Sequence, residues 1–297
     1  MLKEFNRLMA RNNRKRRKKN SSSSPIVLWL FVAIALGACA WLYAAHKKSS
    51  QQQQVRELKA LSQVKGADAA SLIYTVIPDS LASQKKDYEG FTVDFNASNH
   101  TPNYVGWELL ASQTEGNVKR TDNFWYDREI KGCPDIPDYK RSGYDRGHMY
   151  PAADAKWSVK SMNDCFSFAN MAPQVHALNN GAWKTLEEKE RLWAKRDKRL
   201  IIVAGPLYSP SDTQTIGNIG VRVPSGYFKV LLAPDVEKPR AIAFVYPNDL
   251  APGNMQNYSM SVDEAEILTG FDFFSALPDS IENIIESTAS FKEWNQR

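Results

Sequence analysis

The residues of this 297-residue chain that could do chemistry crowd into positions 145–187. Asp145-Arg146-Gly147-His148 comes first, then Asn170-Met171-Ala172-Pro173-Gln174. Leu178-Asn179-Asn180-Gly181-Ala182-Trp183 follows, with Glu187 and Glu188 close behind. An imidazole, a guanidinium, an amide oxygen and a carboxylate together suit the cleavage of a phosphodiester with one hard metal ion. Only four histidines are present, and their settings differ. His46 abuts an apolar segment, His100 sits in a polar run and His176 falls in an expected loop. His148 alone has an arginine two residues before it and an intervening glycine that would let the backbone approach a ligand closely.

With an ordinary pKa near ~6.5, a neutral imidazole at position 148 could take a proton from water attacking phosphorus. Mg²⁺ prefers oxygen ligands and keeps several waters, so the Asn179 amide oxygen plus substrate oxygens is an adequate set, and Mn²⁺ could substitute. The metal would polarise the phosphate and stabilise the leaving 3′ oxygen, giving 5′-phosphate products. Arg146 and Arg120 would hold the charge of the pentavalent transition state through paired hydrogen bonds that lysine cannot match. Arg120 also fits an ordinary surface charge, and Glu187 a surface i, i+4 partner of Arg191.

The elements that must position these groups follow from periodicity. A strand is expected through Tyr144 and His148. Residues 165–171 alternate with period two, which predicts a half-buried strand ended by Pro173. From position 181 to about 199, Trp183, Leu186 and Trp193 recur at helical spacing among charged residues, predicting an amphipathic helix. Asn179 then stands at its entrance, and eight residues at ~100° each leave Glu187 only ~80° round from it, so both can face one cavity. Residues 199–204 form an apolar run ending in Gly-Pro, as a central strand would. Further strands are expected at 221–233 and 240–246, and helices at 262–270 and 278–287. The fold class is α+β, a largely antiparallel sheet flanked by helices.

These motifs resemble the DNA/RNA non-specific endonuclease family, which has a ββα-metal (His-Me finger) core. The resemblance rests on Asp145-Arg146-Gly147-His148, on Asn-x-x-Pro-Gln at 170–174 and on Leu-Asn-x-Gly-x-Trp-x-x-Leu-Glu at 178–187. Weaker echoes occur at Arg120 with Phe124, at 203–207 and at 223–230. It covers roughly residues 88–278. It implies a general base at His148, a direct metal ligand at Asn179 and a water-mediated metal carboxylate at Glu187. It also implies phosphate-binding arginines at Arg146 and Arg120, with Asn170 and Asp145 close to substrate. Asn180 departs from the family's glutamine at a position that is not itself a ligand.

The N-terminal part poses a separate question. Residues 26–45 are an uncharged stretch of 20, enough for one helix across a ~30 Å hydrocarbon layer. Nine Lys or Arg and one acid, Glu4, precede it. By the positive-inside rule residues 1–25 form a basic cytoplasmic tail, 26–45 a single transmembrane helix and signal anchor, 46–70 a polar Gln/Ser-containing spacer, and 71–297 an extracytoplasmic catalytic domain, periplasmic in a Gram-negative cell. Two alternatives stay open: a lipoprotein bearing its lipid at Cys39, and a mitochondrial presequence, since the first 24 residues are rich in Arg and Ser and nearly free of acids.

Residues 1–48 hold eleven basic residues against one acid, so the remainder is about −5 although the chain is +5. Residues 117–200 run the other way, with 16 basic against 12 acidic residues, which concentrates phosphate binding at the site. Nothing resembles a base-reading helix or zinc finger, so DNA and RNA would be bound without sequence specificity; a homodimer is left open. A membrane-tethered nucleic-acid binding or uptake protein with a decayed site is the rival class, and the intact site residues argue against it. If the domain is exported, Cys133 and Cys165 meet an oxidising compartment, and a disulfide between them would close a loop around His148; two buried thiols are the alternative.

Overall fold

The computed structural model describes residues 25–62, 64–251 and 253–296, and the chain divides into two compact units, Met1–Arg56 and Glu57–Arg297. Helix α1 spans Pro25–Leu61. The polar stretch expected as a spacer from residue 46 is therefore helical as far as Leu61. Gln, Lys, Arg, Glu, Leu and Ala are good helix formers, and no proline or glycine interrupts them. The basic tail, and the side chains of residues 26–35 in the expected membrane span 26–45, lie outside the described residues. Among the described residues no helix is long and apolar enough to cross a membrane.

In the second unit a short helix α2, Ala69–Ile73, precedes strands β1 Gln84–Tyr88, β2 Phe91–Asn96 and β3 Thr101–Leu110. Strand β4, Asp145–His148, helix α3, Val159–Asp164, and strand β5, Met171–Gln174, come next. Helix α4, Lys184–Asp197, leads into β6, Arg199–Leu207. A small hairpin, β7 Thr215–Ile216 and β8 Val221–Arg222, precedes β9 Gly226–Ala233, β10 Arg240–Pro247 and β11 Ser259–Met260. Helices α5, Val262–Thr269, and α6, Asp279–Ile285, follow.

Seven strands form one sheet in the order β1-β2-β3-β6-β9-β10-β11, every pair antiparallel. The continuous apolar run of β6 is explained by its place at the centre, covered on both faces. Leu200, Ile202 and Ala204 belong to the core on one side, with Trp183, Leu186 and Trp193. Ile201 and Val203 belong to the core on the other, with Leu72, Val262 and Ile281. Strands β9 and β10 alternate in the same way.

Residues 165–170 are not a strand. Helix α3 ends at Asp164, Phe168–Asn170 form a 3₁₀ turn, and the pairing with β4 is made by β5, with His148 opposite Met171. The alternation misled because Ser167 competes for the backbone: its hydroxyl accepts from the Ala169 N–H at 3.2 Å and starts the turn. Nor does Pro173 end the strand. It lies inside β5 opposite Arg146, in a two-stranded ladder where a missing N–H is tolerated.

Cys133 and Cys165 are not bridged; both are free and buried. Burial raises both thiols to about 12, and their charged neighbours differ, Asp127, Asp135 and Lys86 for Cys133, Arg120 and Asp164 foremost for Cys165. Each is packed as a small hydrophobe, and the Cys165 thiol donates to the Met162 carbonyl at 3.1 Å. The loop is closed instead by the backbone of Trp125, which donates to Phe166 O at 3.2 Å and accepts from Phe168 N at 3.1 Å. Non-reduced protein unfolded in an alkylating reagent should therefore carry label on both cysteines by mass spectrometry, and a disulfide-linked peptide containing Cys133 and Cys165 would contradict this packing.

Candidate active site

The hairpin of β4 and β5 and the entry to α4 enclose a cleft of about 440 Å³ lined by Arg120, Arg146, His148, Asn179, Glu187 and Arg191, among others. Gly147 makes the hairpin possible. A Cβ there would lie 2.5 Å from Gln174 Oε1 and 2.6 Å from its Cβ, so the close approach that the glycine allows is to β5 rather than to a ligand. Strand β5 is anchored in turn through Pro173, whose carbonyl accepts from Tyr227 Oη at 2.7 Å and from Asn248 Nδ2 at 3.0 Å.

His148 is buried, its ring edge-on to Phe166 at 5.1 Å and tilted against Phe124 at 5.7 Å. Its Nε2 has no hydrogen-bond partner among the described residues. Burial, with Arg120 nearby, lowers its pKa to about 3, although a hydrogen bond to the Arg146 backbone pulls the other way. The neutral ring stands at the cleft wall, as a general base requires.

The two arginines stand on the aromatic pair that encloses the imidazole. Arg146 lies over the Phe124 ring at 4.1 Å and Arg120 over Phe166 at 5.0 Å. Both guanidinium groups are exposed, and Arg120 also donates through Nε to Asp122 at 2.6 Å. Their planar forks are placed beside His148 with donors to spare for an anion.

Asn179 begins a π-helical turn, Asn179–Trp183, with a kink at Gly181 (φ −111°, ψ −109°), so it is not continuous with the regular α4 that the ~80° estimate assumed. Asn179 and Glu187 nevertheless line one cleft. The Asn179 amide nitrogen donates to Asp145 Oδ2 at 2.8 Å, which leaves Oδ1 as the atom available to a cation. The same carboxylate oxygen contacts His176 Nδ1 at 2.8 Å. Asp145, expected close to substrate, thus holds the Asn179 side chain in place.

Asn170, expected close to substrate, is not among the residues that line the cleft. It is fully buried, donates through Nδ2 to the carbonyls of Tyr150 and Cys165, and accepts from Tyr150 N, all at 2.9 Å. It holds the chain leaving β4 in place, with every side-chain group already committed.

Beneath the cleft lies a layer that sequence reasoning missed. Glu187 is raised to about 7, chiefly by burial; Lys229 and Arg191 oppose the shift, while Glu190 and Asp154 add to it. Arg191 pairs with buried Asp154 at 2.9 Å rather than with Glu187, and Lys229 sits 3.3 Å from Glu190. Three carboxylates thus face two cations, an excess of negative charge that suits a metal ion held by Asn179 Oδ1 and Glu187. Glu190 was findable as the next polar residue on a buried helix stripe, but its partner at position 229 had no local signal.

The chain matches the family model described as DNA/RNA non-specific endonuclease over residues 68–280. A nuclease of the cyanobacterium Nostoc sp. is 34% identical over 231 residues, 71% of this chain and 79% of that protein. The mitochondrial nuclease 1 of Schizosaccharomyces pombe is 30% identical over 283 residues, 84% and 87% of the two chains. Among solved structures, a crystal structure of the EndoG/EndoGI complex superposes with a TM-score of 0.63 at 27% identity, covering 66% of this chain and 87% of that one.

The depressed pKa has a measurable sign. An unfolded imidazole, near ~6.5, takes up a proton that the folded ring refuses, so the His148 contribution to stability is whole above ~6.5 and declines as pH falls toward about 3. The NMR shifts of its ring carbons should stay flat from pH 8 to 5; an inflection near 6.5 would show the ring to be solvated.

Proposed function

The chain belongs to the DNA/RNA non-specific endonuclease family and is a metal-dependent endonuclease, and from that premise we propose that its cleft hydrolyses DNA and RNA without sequence preference, using Mg²⁺ and leaving 5′-phosphates. The observation that carries this reading is one cleft lined together by His148, the exposed Arg120 and Arg146, Asn179 and Glu187.

Arg146 and Arg120 bind the phosphate and orient it against His148. The neutral imidazole of His148 takes the proton of the attacking water. Asp145 holds the Asn179 amide so that its oxygen, with Glu187, can receive the ion. When bound, that ion supplies charge stabilisation to the phosphate and the leaving 3′ oxygen. The arginines hold the charge that grows on the equatorial oxygens.

The tether is proposed on the sequence: an uncharged stretch at 26–45 behind a block of basic residues supports attachment to a membrane, with the catalytic unit on the side opposite the basic tail. The relatives from Schizosaccharomyces pombe, Saccharomyces cerevisiae and Danio rerio carry mitochondrial names, and these favour the mitochondrial alternative.

Plasmid DNA incubated with the protein should be nicked in Mg²⁺ and left intact in EDTA. His148→Ala should keep nucleic-acid binding and lose at least ~10²-fold in rate, and near wild-type cleavage by the folded variant would remove His148 from the mechanism. Asp145→Ala should raise the Mg²⁺ concentration for half-maximal cleavage by about 10- to 100-fold, the usual cost of losing a partner that orients a metal ligand. An unchanged metal dependence in that variant would free Asp145 of this role.

A further inference from the structure

On the face of the sheet away from the cleft, α5 and α6 bring together a second set of oxygen donors. Asp263 and Glu266 are three residues apart on α5 and share a helix face, while Glu286 follows the last turn of α6. One carboxylate oxygen from each lies within 4.8 Å of the other two. Burial is graded, from exposed Asp263 through half-buried Glu266 to Glu286, which is only 4% exposed. Glu286 Oε1 is shielded from solvent and has no hydrogen-bond partner among the described residues. Asp272 and Glu282 add to the negative field, and no described lysine or arginine forms an ion pair with any of the five carboxylates. Burial first, then Glu266 and Glu282, push Glu286 up to about 9.

A buried, unpartnered carboxylate oxygen facing two more carboxylates needs a cation or a proton. We propose that Asp263, Glu266 and Glu286 form a second divalent-cation site, separate from the catalytic cleft, which takes Ca²⁺. Oxygen-only donors select a hard cation. Ca–O distances of about 2.3–2.6 Å span a triangle of this size, and the flexible coordination of Ca²⁺ lets water complete the shell on the exposed Asp263 side. Mg²⁺ demands nearer-ideal octahedral geometry. The backbone already joins the same two segments, since Val262 N and Asp263 N donate to Glu286 O at 3.1 and 3.3 Å. An ion at this point fastens α5 to the end of α6 over the second core.

Calorimetric titration of the full-length protein with CaCl₂ tests this, with the catalytic cleft silenced by Asn179→Ala in one variant. Asn179→Ala should still bind one Ca²⁺ per chain and gain thermal stability with it. Glu286→Gln and Asp263→Asn should lose that event and keep Mg²⁺-dependent cleavage; the exposed position of Asp263 keeps the test open should the buried variant not fold. Absence of Ca²⁺ binding in Asn179→Ala, or wild-type Ca²⁺ binding in Asp263→Asn, would overturn the proposal and leave a proton as the neutralising species.

Discussion

A lysine with no access to water lies inside the second unit. Lys229 projects from β9, its ammonium 3.3 Å from the Glu190 carboxylate on α4, 4.3 Å from the centre of the Trp183 ring and 5.6 Å from that of Trp107. Taking such a charge out of water costs several kcal/mol, and only a close counter-ion and aromatic faces offset it. The compensation works in one arrangement, with α4 laid across β9 so that Glu190 and Trp183 both reach the ammonium. That constraint sets the position of everything else on the helix: Glu187 lies one turn before Glu190, and Trp183 donates its indole N–H to the His148 carbonyl at 3.3 Å. The ladder that carries His148 and the helix that carries Glu187 are therefore located against one buried charge.

The cleft above is a separation of charge. Its arginines stand on aromatic faces at the rim, and its acids lie low against Lys229 and Arg191. A phosphodiester and a metal ion bring opposite charges, and each meets its complement at a different depth. His148 sits where both fields act, and burial keeps it neutral. A charged imidazole there could not accept a proton, so a neutral resting ring is what the proposed chemistry starts from.

Much of the fold was legible because its signals are local. The apolar run of β6 and the stripe of Trp183, Leu186 and Trp193 each report burial through spacing alone, and those elements formed where the periodicity put them, whereas the strand expected at 221–233 divides into β8 and β9, which belong to different sheets. Spacing failed at residues 165–170, where a serine side chain turned the backbone, and at residues 46–61, where polar residues with strong helix propensity continue α1. Tertiary partners were invisible throughout: Asp145 meets an amide 34 residues on, and Lys229 meets a carboxylate 39 residues back.

The sequence by itself determined which groups could do chemistry, because a histidine, two arginines, an asparagine and a glutamate are chosen by type and ordered within short motifs. Tertiary structure decided what each of them is. It made Asn170 a buried clamp and Asp145 a support for Asn179, and it left the two cysteines as separate thiols. It also lowered the affinity of His148 for a proton and raised that of Glu187. Desolvation, hydrogen-bond satisfaction and proximity of charge depend on which surfaces meet, and that is set by packing between segments far apart in the chain.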